Sequence, residues 1–553
     1  MAPPHELTID VTGMTCEHCE RAVASALRSV PGVQDVLEVS HARALARITA
    51  GPEVTSQVIE ATVANAGYGA RVREAPIGAG PAIIHESAAD FDLLIVGGGS
   101  AGFAAAIKGA DLGARVGLIE GGTLGGTCVN VGCVPSKTLI RAAEAHHRRS
   151  HHGFAGIPTA DGPPDWAAVR EQKNELVAGL RQAKYWDVLR AYEAITLIEH
   201  RAILTSGRSV RLADGRTLTG GKIIITTGAS PWAPPIPGLA EAGYLDNVSA
   251  MALEHLPRSL IVIGGSAVGL ELAQMFARLG VQVTVLEALE RLVPAEEPAV
   301  GEALAGYLRG EGLAVHTGVQ ITLVQRRQEG YSVAFAEGDA TRTARADQLL
   351  VATGRRANTK GFGLETLGVT LGKKGEIVVN EFLQSTHPGV YAAGDVLGDP
   401  MLVYVAAYAG TVAAENALSH ARRYDVAALP RVTFTDPAVA SVGLTEGEAR
   451  AQGIEPLIAT LPLEHVPRAL AARDTRGFVT LLADPSTRHI LGAHILAAEA
   501  GEMISEPALA IKSRLTIEDL TGSFHPYLTL SEGIKLAAQT FTKDVAKLSC
   551  CAA

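Results

Sequence analysis

The stretch FDLLIVGGGSAGFAAAIKGADLGARVGLIE, residues 91–120, decides the fold of this chain. An apolar run leads directly into Gly97-x-Gly99-x-x-Gly102, and a helical pattern and a second apolar run follow, ending at Glu120. In such a strand–turn–helix–strand unit the first glycine permits a tight turn, the second lets backbone amides approach a pyrophosphate, and the third lets the helix pack on the strand. We therefore expect a dinucleotide at the helix N-terminus, with Glu120 bonded to a ribose hydroxyl.

The same pattern occurs again in SLIVIGGSAVGLELAQMFARLGVQVTVLE, residues 259–287. Its turn is Gly264-x-Ser266-x-x-Gly269, and serine is still small enough for a close approach to phosphate. Two such units predict an α/β protein with two Rossmann-like domains, each binding a nucleotide.

The second copy ends at Glu287, which bears on the choice of nicotinamide nucleotide. A carboxylate there favours the free 2′-hydroxyl of NADH and repels the 2′-phosphate of NADPH. Arg278 and Arg291 lie nearby in the sequence and would offset that repulsion.

The remaining pattern predicts further domains around this pair. A βαββαβ arrangement indicates a small ferredoxin-like unit at the start, an Ala/Gly/Pro-rich stretch reads as a linker, and strands and helices after the second copy indicate an α+β interface domain. The expected boundaries are 1–73 for the small unit, 74–89 for the linker, 90–250 with 358–427 for the first nucleotide domain, 251–357 for the second, and 428–553 for the interface domain.

Composition limits the class of protein. The chain has 553 residues, of which 47% are hydrophobic, and a net charge of −10, which argues against a general nucleic-acid surface. The N-terminus lacks the pattern of a signal peptide, and apolar runs are too short to span a bilayer. We expect a cytoplasmic protein, in which thiols stay reduced unless they are catalytic.

The six cysteines form three close pairs, whose spacings suit redox exchange or capture of a soft metal better than structural disulfides. We interpret them as three stations for one thiophilic ion, with reduction at the middle pair. The pairs are Cys16/Cys19, Cys128/Cys133 and Cys550/Cys551.

The middle pair lies in GGTCVNVGCVPSK, residues 125–137. On the first turns of a helix this spacing brings the sulfurs of Cys128 and Cys133 together as a reducible disulfide. A helix N-terminus and Lys137 both lower the pKa of a thiol. The alternative is a pair of inert buried cysteines.

This motif resembles the pyridine nucleotide–disulfide oxidoreductases, and the resemblance covers about residues 90–553. It implies an FAD-containing homodimer in which Cys133 is the charge-transfer thiol beside the flavin and Cys128 is the exchanging thiol. In GVYAAGDV, residues 389–396, a predicted strand ends near Asp395, whose carboxylate can bond the ribityl chain of a flavin. The residues at positions resembling flavin contacts are Gly122, Thr127, Lys137, Ala202, Asp395 and Val403.

The C-terminal region separates the branches of that family. The disulfide reductases of the family carry an acid–base histidine five residues before a glutamate. In this chain the glutamate is Glu532, and the residue five positions before it is Tyr527. His525 lies seven residues before Glu532 and so does not match the motif. Without that histidine, protonation of a leaving dithiol is impaired, but a metal ion needs no such proton. Tyr527 is therefore expected to contact a thiolate-bound ion.

The last residues, AAQTFTKDVAKLSCCAA, resemble the mercuric reductase branch of the family. The resemblance implies that thiolate-bound Hg(II) is reduced to volatile Hg(0), with electrons from NADPH passing through FAD; Glu287 makes NADH possible. Cys550 and Cys551 are expected to clamp the ion at the active site of the partner subunit. AKYWDVL adds Tyr185 as a second candidate for an active-site tyrosine.

GMTCEHC, residues 13–19, resembles a heavy-metal-associated domain. Thiolates at Cys16 and Cys19 suit a soft ion in near-linear coordination with open approaches, so that exchange is easy. A thioredoxin-like redox role is the alternative at this site. For the whole chain, the alternatives are a dihydrolipoamide dehydrogenase-like enzyme and a thiol-rich metal buffer.

Overall fold

The computed structural model describes residues 5–41, 43–51, 54–73 and 89–548. The chain forms two compact units, residues 1–85 and 86–553. Among the described residues, no helix combines the length and apolar character that crossing a membrane requires.

The first unit is an antiparallel four-stranded sheet, in the order β2-β3-β1-β4, with two helices. Alternation along β1 buries Ile9 and Val11, and helical spacing in α1 buries Val23 and Leu27. Its elements are β1 His5–Thr12, α1 Glu17–Arg28, β2 Val33–Ser40, β3 Leu45–Ala50, α2 Ser56–Asn65 and β4 Gly69–Arg73.

The second unit begins with the first nucleotide-binding sheet. Strands β7, β6, β5 and β10 run parallel, and β10 continues into an antiparallel pairing with β9, which pairs with β8. The elements are β5 Phe91–Val96, α3 Ser100–Asp111, β6 Val116–Ile119, α4 Gly126–Val131, α5 Cys133–Arg148, α6 Trp166–Arg181, α7 Asp187–Ala191, β7 Ile195–Ile198, β8 Ala202–Ser206, β9 Ser209–Leu212, β10 Thr217–Ile225, β11 Ala229–Pro231 and α8 Leu239–Ala242.

The second nucleotide-binding sheet is parallel, in the order β14-β13-β12-β18, and an antiparallel sheet of β15, β16 and β17 accompanies it. The chain then returns to the first domain, where β19 pairs with β11 and β20 joins β10. The elements are α9 Asn247–Met251, β12 Ser259–Ile263, α10 Ala267–Arg278, β13 Gln282–Leu286, α11 Pro298–Gly310, β14 Ala314–His316, β15 Val319–Arg327, β16 Gly330–Glu337, β17 Ala340–Ala346, β18 Gln348–Val351, β19 Arg355–Ala357, β20 Val390–Ala392 and α12 Val403–Ala417.

The last domain is an antiparallel sheet in the order β21-β22-β25-β24-β23, with helices packed on it. Its elements are β21 Arg431–Thr433, β22 Ala438–Gly443, α13 Glu446–Ala451, β23 Leu457–Pro462, α14 Pro467–Ala472, β24 Phe478–Ala483, β25 Ile490–Ala497, α15 Ala500–Met503, α16 Ser505–Lys512, α17 Ile517–Gly522 and α18 Glu532–Gln539.

The glycines of the two nucleotide turns are required by close backbone packing. Gly97 has φ +112°, and a Cβ there would lie 2.4 Å from the carbonyl oxygen of Thr226. A Cβ on Gly102 would lie 1.8 Å from the carbonyl oxygen of Gly97. Gly264 and Gly269 stand in the same relation, with 2.1 Å between a Cβ on Gly269 and the oxygen of Gly264.

A buried ionic network joins the second nucleotide domain to the interface domain. The side chain of Arg278, at the end of α10, is 4% exposed and binds Glu311 at 2.7 Å and Asp436 at 2.8 Å. Arg476 contacts the same two carboxylates, at 3.2 and 2.9 Å. Charges removed from water must be paired, so this network fixes how the two domains pack together.

We predict that Arg278→Ala lowers the free energy of unfolding by about 3 kcal/mol, because it leaves two buried carboxylates with a single cation between them. Denaturant unfolding of the purified protein measures the effect. Arg258→Ala is the matched control. Arg258 pairs with Asp347, but because its side chain is 88% exposed, the denaturant midpoint of unfolding should barely change. Equal shifts for the two variants would contradict a stabilising role for the buried network.

Candidate active site and thiol pairs

A large cavity lies where the first glycine turn, the middle cysteine pair and α10 meet. Its volume is about 2090 Å³, above the ~300–1,000 Å³ of typical small-ligand sites, as a dinucleotide requires. Nearly all the residues predicted to bind FAD line this cavity. Gly102 is the exception among them, because it packs α3 against the backbone of the turn at Gly97. The lining members of that set are Gly97, Gly99, Glu120, Gly122, Thr127, Lys137, Ala202, Asp395 and Val403.

Glu120 is fixed by the backbone on both sides of the first turn. Its Oε2 accepts a hydrogen bond from the Gly98 amide at 2.7 Å, and its Oε1 accepts one from the Gly122 amide at 2.6 Å. Each carboxylate oxygen retains acceptor capacity for a ribose hydroxyl. The residues present at this turn therefore suit the adenosine half of FAD.

The second turn has the same construction. Ser266 lies directly before α10, and Gly269 lies in its first turn. Glu287, at the end of β13, accepts hydrogen bonds from the amides of Gly265 and Leu289. The predicted nicotinamide-nucleotide residues thus come together at one helix N-terminus.

The middle cysteines lie on two successive helices rather than on one. Cys128 belongs to α4, and α5 begins at Cys133 after a break at Gly132. A Cβ on Gly132 would lie 2.9 Å from the carbonyl oxygen of Thr127, so the break needs glycine. Both cysteines are in the thiol form and line the cavity.

The two thiols differ strongly in acidity because they share a hydrogen bond. A hydrogen bond from Cys128 to the Cys133 sulfur, with a smaller contribution from the charge of Lys137, lowers the pKa of Cys133 to about 7. The same bond, together with burial, raises the pKa of Cys128. Near neutral pH, therefore, Cys133 is the thiol that ionises, and Cys128 keeps its proton.

Lys137 has a partner that the sequence analysis did not identify. Its Nζ lies 2.7 Å from Oε2 of Glu271, and 4.6 Å from the ring centre of Phe434. Glu271 is 5% exposed although it lies on the largely apolar helix α10. A carboxylate at such a position is a signal that a cation must approach it from elsewhere in the fold.

Arg355 is a second residue that the sequence analysis missed. It lines the cavity with Asp395, and burial lowers the pKa of its guanidinium. Burial raises the pKa of Asp395, and the charge of Arg355 opposes that rise. Arg355 follows the strand that ends in Thr-Gly, so its approach to Asp395 depends on the return of the chain into the first domain.

Tyr185 lies in a π-helical turn, Gln182–Trp186, between α6 and α7. Its ring centre is 4.7 Å from that of Phe103. Burial raises the pKa of Tyr185, and the charges of Cys128 and Cys133 contribute to the increase. Tyr185 is therefore a neutral phenol near the thiol pair.

In the C-terminal domain, the carboxylate beside His525 is that of Glu506. His525 Nε2 lies 2.7 Å from Oε1 of Glu506, which raises the pKa of His525. Glu532 instead accepts a hydrogen bond from the amide of Leu528 at 3.3 Å. Tyr527 is 56% exposed on this domain.

The N-terminal pair is preorganised for a soft ion. Cys16 lies directly before α1 and Cys19 lies in its first turn, with 3.6 Å between the sulfurs. Hydrogen bonds from the Thr15 backbone, and from the side chains of Tyr68 and Cys16, lower the pKa of Cys19 to about 6. The third pair, Cys550 and Cys551, lies outside the described residues.

We predict that Cys128→Ala raises the pKa of Cys133, because the mutation removes the hydrogen-bond donor that stabilises its thiolate. The lowered pKa of Cys133 makes its thiolate prevail above about pH 7 in the reduced protein, and the variant needs a higher pH for the same reactivity. Iodoacetamide labelling at several pH values, resolved by peptide mass spectrometry, measures this. The Cys19 peptide is the internal control, and an unchanged Cys133 profile would contradict the shared hydrogen bond.

Three family models match this chain. Residues 91–410 match the pyridine nucleotide-disulphide oxidoreductase model, residues 429–538 match its dimerisation domain, and residues 8–69 match the heavy-metal-associated domain. Among solved structures, the HOCl-induced flavoprotein disulfide reductase RclA from Escherichia coli is 30% identical, with a TM-score of 0.72 over 81% of this chain and 99% of that one. LpdA from Mycobacterium tuberculosis is 27% identical, with a TM-score of 0.73 over 82% and 99%.

Curated relatives extend the match over nearly the full chain. Mercuric reductase of Staphylococcus aureus is 43% identical over 98% of both chains. Mercuric reductase of Streptomyces lividans is 47% identical over 84% of this chain and 98% of its own. The chain therefore belongs to the pyridine nucleotide–disulfide oxidoreductase family, in its mercuric reductase branch, and carries a heavy-metal-associated domain ahead of the FAD- and NAD(P)-dependent core.

Proposed function

We propose that this protein is a mercury(II) reductase that acts on Hg(II) bound by thiols. The balanced reaction is Hg(SR)2 + NAD(P)H + H⁺ → Hg(0) + NAD(P)⁺ + 2 RSH. The observation that carries the proposal is the acidic thiol pair Cys128/Cys133 in the cavity, combined with a tyrosine, Tyr527, where the disulfide reductases of the family have an acid–base histidine. The identity to mercuric reductases along nearly the whole chain supports it.

The cavity residues would hold FAD at two places. Glu120 and the turn at Gly97 would bind the ribose and pyrophosphate, and Asp395 would bind the ribityl chain. When bound, FAD supplies the relay that accepts an electron pair from the nicotinamide and passes it towards the thiol-bound metal.

The thiol pair provides both ligands and the driving force for capture. The Cys133 thiolate is one ligand, and binding of the metal acidifies Cys128, the exchanging thiol, which releases its proton and becomes the other ligand. Each incoming Hg–S bond replaces an outgoing one, so the ion never has to be free in solution. Reduction yields neutral mercury, which thiolates hold weakly, and the product leaves.

The C-terminal domain favours this substrate over a dithiol. His525 is held by Glu506, so the chain presents Tyr527 in place of an acid–base group to protonate a leaving dithiol. A phenol contacts a thiolate-bound ion without having to give up its proton. These features weigh against dihydrolipoamide dehydrogenase activity, the alternative expected from the sequence.

The other two cysteine pairs act in delivery. The acidic Cys19, with Cys16, captures Hg(II) and exchanges it onward by thiolate exchange. The match to a dimerisation domain supports a homodimer, and we propose that Cys550 and Cys551 of one subunit pass the ion to the Cys128/Cys133 pair of the other. We propose that the reaction takes place in the cytoplasm, which supplies nicotinamide nucleotides in their reduced form and keeps thiols reduced.

We predict that Cys133→Ala and Cys128→Ala each lower Hg(II)-dependent NAD(P)H oxidation and release of volatile mercury by at least about a hundredfold, because the metal loses one of two adjacent ligands. Reduction of a quinone in the same samples, which needs no thiol, shows that electron entry is intact. Cys16→Ala with Cys19→Ala is the matched control and should retain core turnover. Full turnover by either single variant, or rapid oxidation of dihydrolipoamide by the unmodified protein, would refute the proposal.

We predict that truncation before Cys550 slows turnover severalfold when Hg(II) arrives bound to bulky thiols, because the flexible ligand pair that reaches outward is lost. Hg(II) offered with a small, weak ligand such as bromide is the control, since it reaches the inner pair directly. Steady-state rates with the two forms of substrate measure the difference. Equal rates for truncated and full-length protein with the bulky complex would remove the tail from the pathway.

A further inference from the structure

We propose that Glu287 makes this protein select NADH over NADPH as its reductant. The inference deepens the proposed function by naming the electron donor. It concerns the binding of the nucleotide, however, which can be measured without mercury. Three independent features of the second nucleotide domain support it.

The first feature is that Glu287 is fixed in place. The residue is 8% exposed. Its Oε2 accepts from the Gly265 amide, and its Oε1 accepts from the Leu289 amide at 2.8 Å. A side chain held from both oxygens cannot turn away to make room for a phosphate, but each oxygen keeps a lone pair for a ribose hydroxyl.

The second feature is that the chain contains the same construction at its other nucleotide turn. Glu120 lies 22 residues after Gly98 and two before Gly122, and it accepts a hydrogen bond from both amides. Glu287 has the same spacing to Gly265 and Leu289. FAD, the dinucleotide of the first turn, has a free 2′-hydroxyl on its adenosine ribose. The second turn repeats the arrangement that suits a free hydroxyl.

The third feature is the charge around Glu287. The residues that follow, Ala288, Leu289 and Glu290, are exposed and add another carboxylate but no cation. Arg278 lies near Glu287 in the sequence, but its guanidinium is buried in ion pairs with Glu311 and Asp436. It is therefore committed to the domain contact.

Arg291 is the other cation that the sequence analysis considered. Its Nε is buried and has no hydrogen-bond partner, and its Cβ lies 3.6 Å from the position of a Cβ on Gly301 of α11. The start of this side chain therefore packs towards the helix. A 2′-phosphate, with a charge of about −2, would lie against the fixed carboxylate of Glu287, and like charges at short range repel strongly where water is excluded.

The test is a comparison of nucleotides on the full-length flavoprotein. We expect NAD⁺ to bind the oxidised enzyme at least about tenfold more tightly than NADP⁺, and kcat/KM for NADH to exceed that for NADPH by a similar factor, since ~1.4 kcal/mol of repulsion is enough for tenfold. Titration with 5′-AMP and with 2′,5′-ADP isolates the contribution of the 2′-phosphate. Tighter binding of NADP⁺, or of 2′,5′-ADP, by the unmodified enzyme would overturn the inference.

Variants identify the residue responsible. Glu287→Gln keeps the size of the side chain and removes its charge, so the preference for NAD⁺ should fall severalfold, and Glu287→Ala should reduce it as well. FAD content and the unfolding midpoint show whether each variant is folded. Glu290→Gln is the matched control for a nearby exposed carboxylate and should change the ratio less. An unchanged ratio in folded Glu287 variants, or loss of NADP⁺ binding specifically in Arg291→Gln, would contradict the proposal.

The mercury assay separates this inference from the proposed function. If NADH and NADPH both fail to support mercury release while NAD⁺ still binds more tightly than NADP⁺, the specificity stands and the reductase function falls. If mercury is released with NADPH at higher kcat/KM than with NADH, the function stands and the specificity falls.

Discussion

The ion pair between Lys137 and Glu271 is the contact on which the arrangement of the active site depends. Lys137 lies on the helix that begins with Cys133, whereas Glu271 lies on the first helix of the second nucleotide domain, and Nζ and Oε2 are 2.7 Å apart. The other carboxylate oxygen of Glu271 accepts a hydrogen bond from the Phe434 amide at 2.9 Å, at the start of the interface domain. Three domains therefore meet at one buried carboxylate, and its neutralisation holds them together.

The same ion pair tunes the chemistry of the thiols. The positive charge of Lys137 stabilises the Cys133 thiolate, while Glu271 opposes that effect. The acidity of Cys133 therefore results mainly from the hydrogen bond with Cys128, with the lysine as a smaller contribution. Such a pair is reactive towards soft metals near neutral pH, because one sulfur ionises in that range and the other supplies a proton that metal binding can displace.

The sequence was sufficient for features determined within a short segment. The glycine turns, the βαββαβ order of the first unit and the position of Glu287 followed from local spacing. It was not sufficient for contacts made over long distances in the chain: Glu271 reaches Lys137 across 134 residues, and no local pattern encodes that approach. The break at Gly132 was also missed, because one glycine within a helical pattern does not by itself show that the helix ends.

The π-helical turn that carries Tyr185 has a consequence for the length of this segment. A π turn contains one residue more than the α-helical turn that it replaces, and it persists only where the surrounding packing favours it. Deleting one residue between Gln182 and Trp186 would remove the extra residue and leave a regular α-helix through Asp187, with the helical segments on either side keeping their relative orientation. The phenol of Tyr185, which lies within the turn itself and contacts Phe103, is the group that such a deletion would displace, so the length of this segment, as much as the identity of the tyrosine, constrains variation here.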